Sequence, residues 1–198
     1  MILVFDTETT GFPKRMVPGN LSVQPHIVEL ACAWFDVSDS GEKQWYGSFS
    51  SLVRPQGWEI PKEATDIHGI TNGIAQQGGL PICEIMGCVL GLMRKADLIV
   101  GHNISFDIAM LDIECSRLDY PKVYLEKSMF CTMLESKDIV KLPPNPGYRD
   151  YKWPTLGEAY SFFTGREFQE THRALNDIQA CIEIFPHLRD RWERYLKG

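Results

Sequence analysis

The chain has 198 residues, 44% of them hydrophobic, enough for an ordinary core and too many for a disordered or fibrous class. With 26 acidic against 20 basic residues, its formal net charge of −6 disfavours a protein that coats long duplex nucleic acid through the phosphates. No run of 18 apolar residues, basic leader or C-x-x-C pair is present, so neither a membrane span, a disulfide framework nor a zinc site is expected, and a cytoplasmic location is.

Residues 2–5 are a short apolar run with β-branched side chains, a buried strand ended by polar and turn residues. Residues 13–25 are broken by Pro13, Pro18, Gly19 and Pro25 and read as a loop or irregular hairpin. Residues 27–37 and 45–53 read as two further strands joined at Asp39-Ser40-Gly41, which predicts an antiparallel meander at the start of the fold. Residues 80–96 place Ile82, Ile85, Met86, Val89, Leu92 and Met93 three and four apart, as an amphipathic helix requires. Next come a brief buried strand over 98–101, a helix over 104–118 and a strand near 129–132. Residues 141–154, rich in Pro, Gly and Tyr, predict an exposed loop, and 156–163 a short helix. The last helix begins near Arg173, buries Ala174, Ile178, Ile182 and Phe185, and is kinked or divided by Pro186. No repeat, low-complexity tract or linker interrupts this pattern, so 1–198 is expected to be one α/β domain.

Three places carry chemistry. Asp6 and Glu8, two apart at the end of a strand, face one side with Cα atoms about 6.6 Å apart. Two carboxylates leaving a buried strand repel each other and lose hydration, and a divalent cation between them removes both costs. Two acids facing water beside a turn are the simpler explanation of that pair alone. Asp107 falls in the first turn of a helix that comes after a strand and a polar turn, where the helix dipole favours its charge and Asn103 or Ser105 can supply the cap. His172 and Asp177 lie five apart, about 140° around one regular helix, so they face a common point only if His172 sits on the loop before it.

Taken together, the stretches FDTETTG (5–11), IHGIT (67–71), GHNISFD (101–107) and HRALND (172–177) resemble the DEDDh group of 3′→5′ exonucleases, the DnaQ-like family of the ribonuclease H-like superfamily. That resemblance implies a central mixed sheet, an antiparallel meander and then parallel strands, flanked by helices. It implies that Asp6, Glu8, Asp107 and Asp177 hold two divalent cations and that His172 is the general base. An all-carboxylate set without thiolate suits Mg²⁺ or Mn²⁺, and an imidazole takes a proton from water near neutrality. It also places Thr9, Thr10, Phe12, His68, Ile70, Asn103 and Phe106 around a terminal nucleotide, with Thr9 and Thr10 alternatively shaping only the turn and Phe106 only anchoring its helix. Lys14, Arg15, Arg149, Lys152 and Trp153, in two loops longer or more particular than the family pattern, are candidates to guide the strand.

The implied substrate is the 3′ end of a single nucleic-acid strand, DNA of the proofreading or repair type, with a replication or repair protein such as a polymerase as a possible partner and the oligomeric state open. An exoribonuclease uses the same five residues and stays open at this point. A phosphotransferase of the D-x-D type needs a second Asp where Glu8 stands and leaves His172 unexplained. A non-catalytic binding module on the same fold commonly loses a metal ligand, and this sequence keeps all four.

Overall fold

The computed structural model of the chain describes residues 1–14, 20–38, 40–169 and 171–196. Among these, five strands form one sheet: β1 (Ile2–Thr9), β2 (Ile27–Val37), β3 (Lys43–Leu52), β4 (Leu98–Gly101) and β5 (Ser128–Cys131), in the order β3-β2-β1-β4-β5. β1, β2 and β3 pair antiparallel, and β4 and β5 extend the sheet parallel to β1. The mixed sheet and its opening meander are therefore as the sequence predicts. Eight α-helices accompany it among the described residues: α1 (Lys62–His68), α2 (Asn72–Gly78), α3 (Ile82–Lys95), α4 (Ile104–Leu118), α5 (Thr132–Val140), α6 (Leu156–Thr164), α7 (Ala174–Ile184) and α8 (Arg189–Leu196). None of them is long and apolar enough to cross a membrane.

The two-residue period of β1 sorts the core into two layers. Leu3 and Phe5 pack with Ile85, Met86, Val89 and Met93 of α3 and with Met110 and Leu111 of α4. Ile2 and Val4 face the other way, onto Ala159 of α6, Ile178 and Ile182 of α7 and Trp192 of α8. Each fully buried aliphatic side chain contributes about 1.5–3 kcal/mol, so both helix layers are held firmly against the sheet. The same alternation orients the polar residues at the end of the strand. Asp6 and Glu8 continue the Ile2–Val4 face toward α7, and Thr7 continues the Leu3–Phe5 face toward α4.

Several details differ from the sequence pattern, each for a local reason. β1 runs four residues past Phe5, because β2 pairs with it as far as Thr9. β3 starts at Lys43 and stops at Leu52; Val53 instead bridges to Leu80. Asp39 of the expected turn lies outside the described residues, and Ser38 N–H to the Glu42 carbonyl, at 2.9 Å, closes the hairpin. α1, α2 and α5 have no counterpart in the periodicity. The first two are only seven residues each, and α5 buries two polar residues, Thr132 and Ser136, which a hydrophobic pattern does not register. Pro186 does divide the last helix: a 3₁₀ turn, Phe185–Leu188, separates α7 from α8.

Candidate active site

The site forms where β1 outruns its parallel neighbour. β4 pairs with β1 only from Ile2↔Leu98 to Val4↔Val100, then turns away at Gly101 into α4. The turn is tight: a Cβ on Gly101 would stand 3.2 Å from Ile104 Cβ. Beyond it, Thr7 has no strand on that side, and Asp107 takes the vacant ladder position. Its Oδ1 accepts the Thr7 backbone N–H at 3.0 Å and the Thr7 hydroxyl at 2.7 Å, although the two residues are 100 apart in sequence. On the other edge of β1 a bulge shifts the register, Glu8 facing Glu29 but Thr9 facing Ile27, where such irregularities commonly re-aim a side chain.

From the opposite layer α7 brings Asp177 in its first turn. One carboxylate oxygen from each of Asp6, Glu8 and Asp177 lies within 4.8 Å of the others. Asp107 is buried beside them and bears electrostatically on both Asp6 and Glu8. Burial first, and then the charges of Asp107, Asp177 and Glu8, push the Asp6 carboxyl well above the usual carboxylate range. Burial and the charges of Asp177 and Glu29 lift Glu8 to about 8, a rise that the Arg173 guanidinium partly opposes. Burial lifts Asp107 to about 7 against the two Thr7 hydrogen bonds, which favour its charge. Crowded oxygen donors that resist ionisation are a donor set suited to a hard divalent cation, whose charge would stabilise all of them as carboxylates.

His172 stands just outside α7, exposed, at φ +46°, a left-handed conformation that a non-glycine residue occupies at a cost. It is off the helix, as a common focus with Asp177 requires. What fixes this entry is a residue that the sequence motifs pass over. Glu29, a lone acid in the apolar run of β2 and only 2% exposed, accepts Arg173 Nε at 3.0 Å, Arg173 Nη2 at 2.7 Å and the Ala174 N–H at 3.1 Å. It thus satisfies an orphan donor at the start of α7, places a negative charge at the helix's positive end, and pins the residue after His172. A single acid inside IVELACAWF was the available signal.

Beside the carboxylates runs a cleft of about 390 Å³, lined by Thr9, Thr10, Phe12, Ile67, His68 and Phe106 among others. Phe12, 81% exposed, meets Phe106 edge-to-face with ring centroids 5.7 Å apart. Phe106 also packs on the core, so it both lines the cleft and anchors α4. The Thr9 hydroxyl donates to the Gly11 carbonyl and Thr10 Oγ1 accepts the His26 N–H, so both side chains shape the turn from within the lining. His68 ends α1, and Gly69 closes that helix in the left-handed region. His68 Nδ1 accepts the Ile70 N–H at 3.0 Å, which leaves the ring proton on Nε2, buried beside the Thr9 backbone. Burial lowers the basicity of the His68 ring, whose body closes one wall of the cleft.

Two expected lining residues are placed elsewhere. Ile70 is buried with Val28, Ile60, Ala64 and Ala75, and serves the cleft only by its amide on His68. Asn103 is exposed in a left-handed conformation (φ 60°), outside the cleft lining. Neither Asn103 nor Ser105 caps α4 with its side chain; Ser105 Oγ donates to Asn103 Oδ1 at 3.3 Å instead. Lys14 is fixed through its backbone by the Gln24 amide, in both directions at 2.9 Å, while Arg15 lies outside the described residues.

The family described as "Exonuclease" (RNase_T) matches residues 3–185 of the chain. DNA polymerase III subunit epsilon of Treponema pallidum is 26% identical over 181 residues, covering 91% of this chain and 73% of that protein. RNA exonuclease 4 of Mycosarcoma maydis is 23% identical over 198 residues, covering 91% of this chain and 45% of that protein. Among solved structures, E. coli exonuclease I in complex with a dT13 oligonucleotide superposes with a TM-score of 0.73 at 17% identity. That match covers 99% of this chain but 42% of exonuclease I, so the chain spans less than half of that neighbour's length. The likeness establishes the same fold.

Proposed function

The chain belongs to the RNase_T exonuclease family, within the DnaQ-like DEDDh exonucleases of the ribonuclease H-like superfamily, and on that premise we propose that it removes nucleotides from the 3′ end of a DNA strand with two divalent cations. The observation that carries this reading is the convergence of Asp6, Glu8 and Asp177 on one point, with Asp107, held by Thr7 from the other helix layer, within electrostatic reach of Asp6 and Glu8. Mg²⁺ or Mn²⁺ bound there supplies a lowered pKa for an attacking water and neutralises charge on the leaving 3′ oxygen. The chain's own residues do the rest. Phe12 and Phe106 hold the terminal base by stacking, and the buried His68 ring backs the cleft wall beside them. His172, exposed just before α7, takes the proton of the attacking water at a ring nitrogen. Residues 1–198 act as one exonuclease domain in this reading, and its partner is a replication or repair protein.

A 20-mer of DNA and one of RNA, each labelled at the 5′ end, test the proposal in Mg²⁺. The expected result is a ladder shortening from the 3′ end, absent in EDTA and in Asp107→Ala, and faster on DNA. A faster RNA ladder would transfer the assignment to an exoribonuclease, the reading that the similarity to RNA exonuclease 4 favours. Intact strands with folded protein and either metal would refute both.

A further inference from the structure

Residues 141–154, between α5 and α6, contain no helix or strand of their own, yet they are a built hairpin. Leu142 and Lys152 form an antiparallel bridge, with the Lys152 N–H on the Leu142 carbonyl at 3.2 Å. At the tip the Tyr148 N–H donates to the Asn145 carbonyl at 3.0 Å, across Gly147 at φ +86°, where a side chain would be strained. Lys137 of α5 pairs with Asp150, and Lys152 with Glu158 of α6 at 2.7 Å. The hairpin's foot is tied to the candidate site. His102 Nε2 bonds the Pro154 carbonyl at 3.1 Å and Nδ1 the Thr132 hydroxyl at 3.0 Å, and His102 stands at the end of β4, just before the helix that carries Asp107. Burial drives the His102 ring down to about 4, so this tether is a neutral one that persists at physiological pH.

This ordered segment holds its aromatic rings out of the core. Tyr148 is 75% exposed, Trp153 57% and Tyr151 41%, and with Lys137 and Lys152 they enclose a hollow of about 310 Å³. Between 137 and 153 the cations Lys137, Lys141, Arg149 and Lys152 outnumber Asp138 and Asp150, four to two, in a chain whose net charge is −6. Exposed rings among cations are the two features with which a surface takes up single-stranded nucleic acid without reading its sequence, by stacking on bases and attracting phosphates. We propose that the 141–154 hairpin is a second strand-binding platform, on which bases upstream of the reacting 3′ end stack against Tyr148 and Trp153 while Arg149 and Lys141 attract the phosphates between them. This rests on the exonuclease reading above and extends it from the terminal nucleotide to the body of the strand.

The test is fluorescence anisotropy with 5′-fluorescein dT20 and dT3, in Mg²⁺, on an Asp107→Ala background that leaves the strand uncut. Tyr148→Ala and Trp153→Ala are each expected to weaken dT20 binding about tenfold or more while changing dT3 binding less than about twofold. Tyr148→Phe and Trp153→Phe, which keep a ring, are expected to restore most of the dT20 affinity. Undiminished dT20 binding by the alanine variants, an equal loss for dT3, or no recovery with phenylalanine would overturn the platform, and the first of these would leave the hairpin to a protein partner. Cutting of dT20 by Asp107→Ala would count against the catalytic assignment, while the affinities for uncut strands at early times would still decide the platform.

Discussion

Two sets of buried and half-buried acids sit within this fold, and they are solved in opposite ways. Glu114 of α4 and Glu29 of β2 are each 2% exposed, and each comes with its own cation. Arg117 donates to Glu114 at 2.7 Å and, from the same guanidinium, to the carbonyls of Leu21, Gln24 and Pro25, which fastens the 20–25 segment to α4. Arg173 does the same for Glu29 at the start of α7. Asp6 and Glu8 are instead set against Asp107 and Asp177, and the chain accepts the repulsion among them. On the proposed reading, the acids that build the structure bring their counter-charge in the sequence, and the candidate catalytic acids leave that place to a bound ion.

Removing charge from each set in turn should move the protein in opposite ways. The largest effect is expected from Asp177→Asn, which should cut exonuclease turnover roughly a hundredfold to a thousandfold in a 3′-end ladder assay, because it deletes an electrostatic contribution made at the reacting atoms. Next comes Thr7→Val, which keeps the shape of the β1 side chain but removes the hydroxyl that holds Asp107 at 2.7 Å; turnover should fall about 10- to 100-fold with the fold intact by circular dichroism. Glu29→Gln should act on stability: it weakens the bonds to Arg173 and Ala174 and costs about 1–3 kcal/mol by denaturant titration, moderated because Arg173 is itself half exposed and can turn to water. Asp6→Asn should do the reverse in EDTA at pH 8, raising the melting temperature by roughly 2–4 °C as it relieves repulsion worth about 1 kcal/mol. If Glu29→Gln and Asp6→Asn shift the metal-free protein in the same direction, the distinction between the two sets is lost.

The pH dependence has a definite sign. Glu8 titrates at about 8 in the folded chain and near 4.5 when unfolded, and Asp107 at about 7 against 3.8. Between those limits the folded state binds more protons than the unfolded one, so metal-free stability is greatest below the unfolded values and declines as pH rises through about 7 to 8. Melting curves in EDTA from pH 5 to 8.5 should show that decline, and saturating Mg²⁺ should flatten it, because a cation replaces the protons.

Much of this was legible in the sequence because it repeats at fixed periods. The strand runs, the long helices 82–95 and 104–118 and the requirement that His172 stand off the helix come from spacing, and the candidate site residues come from the resemblance carried by four motifs. What was not legible is what depends on a distant partner. Helix α5 presents Thr132 and Ser136 to the interior, where an apolar pattern cannot find it. Ile70 reads as a cleft residue from its motif, yet its side chain closes a small core and only its amide serves the site, on His68. The roles of Thr7 and Glu29 exist only once residues 100 and 144 positions away are folded against them.

The most direct test of the central claim is a calorimetric titration of the metal-free protein with Mn²⁺ at pH 7, run beside the Asp6→Asn variant. The expected result is saturable binding of two ions per chain with release of protons, and loss of at least one of them in the variant. Saturation identical in the two proteins, or no binding by a protein that still shortens a DNA strand in EDTA, would contradict it.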